Sequence, residues 1–372
     1  MKRTQKFIGT LAIGLALVGL TGCSAPVADV TISVREDAKT CELSQTEFAA
    51  GVATFVIENI GDTTAEFYVF KEDGKSIVAE VENIGAGLTR NLTAELAQGE
   101  YVYACLQGDG DKGIRGELTV TAATAAAKGS PEIDAAIEAY KTFVSTEADT
   151  LLAGTKAFAA AIAAKDVAGA KALYAPTRAA WERIEPVAES FGDLDPKMDA
   201  REGDLDPATP WTGWHALEKQ LWVTGLDANS TALADQLVAD TEDLVTRIST
   251  VKLTISQMAN GAKELMDEVA TGKVTGEEER YSRTDLWDFD ANVAGALQVV
   301  EVTRSLLETN DPDLLTEIDA TFGALKAELA KHQVGSGFKL YNQLSAAEVK
   351  KLATLVEASA EPLSHLAAAL VK

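Results

Sequence analysis

Over residues 122–131 the chain changes its hydrophobic period, and that change limits what it can fold into. Upstream, from Val27 to about Thr121, apolar and polar residues alternate. Gly51-Val-Ala-Thr-Phe-Val-Ile-Glu-Asn is the clearest run, and Phe67-Tyr-Val-Phe and Gly116-Glu-Leu-Thr-Val-Thr are shorter ones. A period of two sends successive side chains to opposite faces of a strand. Gly61-Asp62, Asp73-Gly74 and Asp109-Gly110 supply turns between such strands. Downstream, apolar residues recur at helical spacing: Ile137, Tyr140, Phe143 and Val144, then Leu233, Leu237 and Leu244. The alanine-rich stretch between ends in Lys128-Gly-Ser-Pro131 and reads as a linker that runs into a helix starting at Pro131. The pattern therefore predicts a multidomain chain, with an all-β sandwich over 23–121, a linker over 122–131 and an all-α helical bundle over 132–372. Asp193 to Pro210, rich in Asp, Gly and Pro, reads as a long irregular loop within the bundle.

Residues 1–22 are a targeting segment rather than part of either fold. Lys2, Arg3 and Lys6 precede an apolar stretch, Phe7 to Leu20, that is too short to span a bilayer comfortably. It ends in Leu20-Thr-Gly-Cys23, which looks like a bacterial lipobox, whose cysteine becomes a lipidated N-terminus. The alternative is an ordinary secretory signal. A lipid on Cys23 would tether the protein to the outer face of the cell membrane, on the periplasmic or extracellular side. The net charge of −24 repels nucleic acid and attracts cations, so no nucleic-acid partner is expected. Acidity also serves solubility and by itself decides nothing about metals.

The bundle contains Gly213-Trp-His-Ala-Leu-Glu-Lys-Gln-Leu-Trp222, in which His215 is one of three histidines in the chain. Glu218 lies three residues on, so on a helix both side chains share a face and can grip one cation. Glu182 and Glu185 have the same spacing just before Pro186. Two close carboxylates repel unless a cation sits between them; the alternative is a solvated acidic face paired with Arg178 and Arg183. Asp199 and Asp204, in the loop before His215, complete the candidate metal shell. Tyr281, Asp285, Asp288 and Asn292 are read as structural or as lining the cleft. His332 and His365 are read as surface or helix-flank residues.

The sandwich half ends in Gly99-Glu-Tyr-Val-Tyr-Ala-Cys-Leu-Gln-Gly, followed by Gly116-Glu-Leu-Thr-Val. This resembles the final hairpin of a cupredoxin, where the cysteine binds copper, and Glu66 stands where that family has its first histidine ligand. A blue-copper centre needs two histidines beside the cysteine, yet residues 24–130 contain neither histidine nor methionine. The missing ligands argue against blue-copper electron transfer. Glu66, Cys105 and Cys41 remain as candidate ligands in the sandwich, with Asp109 and Asp111 in the adjacent loop. The competing expectation is a Cys41–Cys105 disulfide, as two cysteines in an exported protein usually form.

Tyr174-Ala-Pro-Thr-Arg-Ala-Ala-Trp-Glu-Arg-Ile-Glu-Pro, Asp199-Ala-Arg, Gly213-Trp-His-Ala-Leu-Glu and Tyr281-Ser-Arg-Thr-Asp-Leu-Trp-Asp-Phe-Asp-Ala-Asn occur in this order. Together they resemble the imelysin-like family, historically labelled peptidase M75, in the form joined to an N-terminal cupredoxin-like domain. The resemblance covers nearly the whole mature chain. It implies metal binding by the Gly-x-His-x-x-Glu motif, here Gly213, His215 and Glu218. It also implies a role outside the cytoplasm in bacterial iron uptake, beside a membrane iron permease and a haem-containing, DyP-type peroxidase.

The donor types fit such a role. One imidazole among carboxylates suits Fe(II) or Fe(III), with zinc, manganese or copper as the other ions expected. The peptidase label finds little machinery: His-Glu-x-x-His is absent, Ala216 follows His215, and neither Gly-x-Ser-x-Gly nor a Cys/His pair is present. The chain is read as a carrier with no catalytic residue. The alternatives are a metal-dependent peptidase or redox enzyme of the M75 type, and a module that binds a partner protein.

Overall fold

The computed structural model describes residues 29–107, 113–123, 130–205 and 208–372. The leader with Cys23, the Asp109-Gly110 turn with Asp111, and most of the expected linker lie outside the described residues.

Among the described residues, nine strands form the N-terminal half: β1 (Val30–Asp37), β2 (Thr40–Leu43), β3 (Glu47–Ala49), β4 (Gly51–Asn59), β5 (Ala65–Lys71), β6 (Ile77–Ile84), β7 (Thr89–Leu96), β8 (Gly99–Gln107) and β9 (Ile114–Thr121). They make a four-stranded sheet in the order β2-β1-β4-β7 and a five-stranded sheet in the order β3-β9-β8-β5-β6. The pairs β1/β4 and β3/β9 are parallel and the others antiparallel. Alternation does the work the sequence promised. Ile32 and Val34 of β1, Phe55 and Ile57 of β4, Phe67 and Val69 of β5 and Leu118 of β9 fill one core between the sheets. The Asp73-Gly74 turn is present, with the Gly74 amide donating to the Lys71 carbonyl at 2.9 Å.

The C-terminal half is helical: α1 (Pro131–Ala163), α2 (Val167–Ile184), α3 (Leu194–Met198), α4 (Gly213–Lys219), α5 (Ser230–Ile248), α6 (Ile255–Thr271), α7 (Asp285–Asn310), α8 (Pro312–Leu329), α9 (Ala346–Leu363) and α10 (Leu366–Leu370). Pro131 opens α1, with Glu132 and Asp134 in the first turn, where the helix dipole favours negative charge. Tyr140, Val144, Leu151, Phe158 and Ile162 form its buried stripe. Thr254 with Gln257 and Ser345 with Glu348 close capping boxes on α6 and α9. No described helix is long and apolar enough to cross a membrane.

Two expectations need correction. The stretch 193–210 is not irregular throughout, because Leu194 and Met198, one turn apart, are both fully buried and hold α3 against the core. His332 flanks a helix, as one of its two readings had it, but is not at the surface: it lies just beyond the end of α8, 2% exposed, between Glu328 and Glu348. His365 is exposed and precedes α10.

The halves meet where β6 and β7 lie against α6. The Glu95 amide donates to Ser256 Oγ at 2.8 Å, and Asn260 Nδ2 donates to the Thr93 carbonyl at 2.9 Å.

Candidate metal centre

The short helix α4 carries the Gly-x-His-x-x-Glu motif, and its first residue determines how closely it can dock. Gly213 has φ +84°, a left-handed conformation, and a Cβ on it would overlap the Met198 carbonyl at the end of α3. One side of α4 is locked by Trp214, whose ring packs on Phe158 and Tyr174 at 5.2 and 5.8 Å between centroids. The other side turns His215 and Glu218 into the protein, 2% and 0% exposed.

His215 uses its two nitrogens differently. Nδ1 lies 3.2 Å from Glu218 Oε2. Nε2 has no hydrogen-bond partner and lies 3.5 Å from Asp199 Oδ1 and 3.4 Å from Glu278 Oε1. The other oxygen of Glu218 accepts the amides of Tyr281 and Ser282 at 2.8 and 2.6 Å, which fixes that carboxylate. Two groups therefore have ligand atoms close enough to share an ion: Asp199, His215 and Glu278, and His215, Glu218 and Glu279.

Arg178, fully buried on α2, is the hub of this cluster. It pairs with Glu182, Asp199, Glu278 and Glu279, and its Nε lies 3.7 Å from Asp288. A second buried cation, Lys273, stands between Glu182 and Glu185, with Nζ 2.8 Å from an oxygen of each. Asn292 Nδ2 donates to the same two carboxylates at 2.9 and 2.6 Å. Around these two fixed cations stand Glu182, Glu185, Asp199, Glu218, Glu278, Glu279 and Asp288. Carboxylate is in excess.

The titration of the groups follows from that excess. Burial and the Arg178 charge push the His215 pKa down, but Glu218, Glu278 and Asp199 outweigh them and hold it up at about 10. Burial raises Glu279 and Asp288 well above the carboxylate range, with neighbouring carboxylates adding to it. Burial also works against ionised Glu182, yet Arg178 and Lys273 prevail and hold it at about 2. Both oxygens of Asp288, Oδ2 of Asp285 and Oδ1 of Asn292 lack hydrogen-bond partners. A buried cluster with surplus negative charge and orphaned acceptors can be satisfied by protons or by a bound cation.

The structure joins only some of the expected residues. His215, Glu218 and Asp199 come together. Glu182 and Glu185 lie beyond Arg178, and the cation between them is the protein's own Lys273; Arg183 pairs elsewhere, with Glu147 at 3.1 Å. Asp204 lies on the partly exposed rim, accepting the Arg201 amide and Nε at 3.0 and 3.1 Å, and belongs to neither group. Tyr281 contributes its amide, Asp285 accepts the Glu279 amide at 3.1 Å, and Asn292 braces the glutamate pair. Sequence reasoning missed Glu278 and Glu279. Their signal was the run Glu277-Glu-Glu279, two residues before the Tyr281 motif.

In the sandwich the expected ligand set does not assemble. Cys41 and Cys105 are bonded to each other, with sulfurs 2.04 Å apart, so neither offers a thiolate. Glu66 pairs in register with Leu106 while Phe67 pairs with Cys105, which puts Glu66 and the disulfide on opposite faces of the sheet. Glu66 instead accepts the Tyr68 hydroxyl at 3.0 Å. A buried acid that sequence reasoning did not single out, Glu36, points inward, with both oxygens lacking hydrogen-bond partners and its pKa pushed up to about 8 by burial and by Glu66.

A β-sandwich followed by a helical bundle that buries one histidine among carboxylates on a Gly-x-His-x-x-Glu turn defines the class. The imelysin (peptidase M75) family model matches residues 136–366, and the chain belongs to that family. Similarity extends over both halves. The chain is 41% identical over 349 residues to "Iron uptake system component EfeO" of Escherichia coli O157:H7, covering 92% of each chain. It is 40% identical over 363 residues to the protein of that name from Escherichia coli O6:K15:H31 (strain 536 / UPEC), covering 96% of each. The same name belongs to a relative in Shigella boydii serotype 4 (strain Sb227), 41% identical over 349 residues.

Proposed function

We propose that this protein is an extracytoplasmic iron-binding component of a bacterial iron-uptake system and no enzyme. It takes up Fe(II) or Fe(III) and delivers it to a membrane iron permease, beside a haem-containing, DyP-type peroxidase. A lipid on Cys23 keeps it at the outer face of the cell membrane, with domains divided at 23–121, 122–131 and 132–372. The observation that carries this is the His215 centre: an imidazole nitrogen with no hydrogen bond, held among buried and half-buried carboxylates from three separate segments. The relatives, named as iron-uptake components, supply the ion. Zinc and manganese suit the same donors.

His215 Nε2, Asp199 and Glu278 hold the ion. Glu218 accepts Nδ1–H and orients the ring so that Nε2 is the nitrogen that would exchange its proton for the ion, a carboxylate–histidine–metal relay. Hydrolysis lacks a second imidazole beside the first and a glutamate placed next to it as base. Iron titration of the wild type, His215→Ala and Glu218→Gln tests this. His215→Ala should lose one bound ion, and Glu218→Gln should keep it with affinity about 10–100-fold weaker. Unchanged binding in His215→Ala would overturn the proposal, and metal-dependent cleavage of a peptide library, lost in the same variant, would replace it with a peptidase.

A further inference from the structure

Between the sandwich and the bundle lies a cavity of about 440 Å³. Its walls come from both halves: Glu80 and Glu82 from β6, Glu264 and Glu268 from α6, and Asp199 and Glu278. One positive side chain lines it among the described residues, Arg201. Arg201 Nη1 donates to Glu278 Oε2 at 3.2 Å and Nε donates to Asp204 at 3.1 Å, and the side chain is 31% exposed. Glu264 Oε2 has no hydrogen-bond partner.

A lining of carboxylates alone would be an acidic surface and nothing more. What singles out this chamber is an atom beside two of its lining residues. His215 Nε2, 2% exposed and without a hydrogen bond, lies 3.4 Å from Glu278 and 3.5 Å from Asp199, both of which line the cavity. We infer that the chamber is the entrance through which a hydrated divalent cation reaches His215, and that Arg201 is the tethered positive charge on that route which slows the ion's arrival. The inference rests on the proposed centre at His215.

The physics of a funnel supports it. Carboxylates on low-dielectric walls focus the field, raise the local concentration of cations and speed their arrival. A guanidinium in the lining, paired with Glu278 Oε2, opposes the last step because like charges repel. The sandwich thereby gains a task that needs no metal site of its own: it supplies one wall of the approach.

Stopped-flow binding of Fe(II) under anaerobic conditions tests the route in the full-length protein. Glu80→Gln/Glu82→Gln should bind the same number of ions at a rate at least about threefold lower at low salt, with a flatter salt dependence, since steering by charge spans roughly 10- to 1000-fold in such clefts. Arg201→Gln, at a part-exposed position, should bind faster at unchanged stoichiometry, and it poses the question independently should the double variant fold poorly. If His215→Ala loses the ion while both chamber variants bind at the wild-type rate, the route falls and the centre stands. If His215→Ala binds as the wild type does, the centre falls and the route with it.

Discussion

At the scale of single residues, charge balance governs the centre. Glu182 and Glu185 face each other across a buried ammonium, and Lys273 has no exposure to water. Removing one partner of a buried ion pair strands the other charges in a poor dielectric, at a cost of about 3–5 kcal/mol. Lys273→Met should therefore lower unfolding free energy by about that amount in urea denaturation, and loss of under about 1 kcal/mol would show that the pair is better solvated than its burial implies. His215 differs from Lys273 because its charge is removable. With a pKa held at about 10 it carries a proton at neutral pH, so an ion arriving at Nε2 replaces a proton rather than adding to an uncharged ring.

At the scale of elements, the site depends on how α4 meets α3. The left-handed Gly213 lets α4 start directly against the Met198 carbonyl, and Thr212 Oγ1 donates to the Lys197 carbonyl at 2.8 Å beside it. Gly213→Ala should cost more than about 1 kcal/mol in stability, and it should weaken iron binding by moving His215 away from Asp199 and Glu278. Equal stability and affinity in calorimetric titration would contradict this. The motif itself was legible because α4 presents i and i+3 on one face, and Asp199 because it lay in a matched stretch just upstream. Glu278 and Glu279 were not, since no helical or strand period marks them; they sit in a turn before α7 and reach His215 only through the tertiary fold. Glu182 and Glu185 were legible as a pair in need of a cation, but a local pattern could not say that the cation is Lys273, 91 residues from Glu182. In the sandwich, alternation predicted the strands well. It also held the reason that Glu66 and Cys105 cannot share an ion, which became visible only once the β5–β8 register was known.

At the scale of the whole molecule, an acidic chain folds around buried groups that prefer different protonation states, and its stability should depend on pH accordingly. Glu36, held up at about 8 by burial and by Glu66, keeps its proton in the folded chain after the unfolded chain has lost it near 4.5. The folded state then binds more protons, so stability falls as pH rises from about 4.5 to 8. The raised His215 adds stability that is complete below 6.5 and is lost as pH climbs towards 10. Glu182, held at about 2, acts in the opposite sense, giving stability present above 4.5 and lost as pH falls towards 2. Metal-free protein should melt highest between about pH 4.5 and 6.5, and a melting temperature that rises steadily to pH 9 would contradict this. Iron should offset part of the alkaline loss, by replacing the proton at His215. The central claim is that a single ion sits at His215 Nε2 with Asp199 and Glu278. Diffraction from iron-loaded crystals on either side of the iron absorption edge tests it most directly: the account predicts one anomalous peak about 2.0–2.2 Å from His215 Nε2 and within bonding distance of both carboxylates. An ordered peak elsewhere, with none at His215, would contradict it.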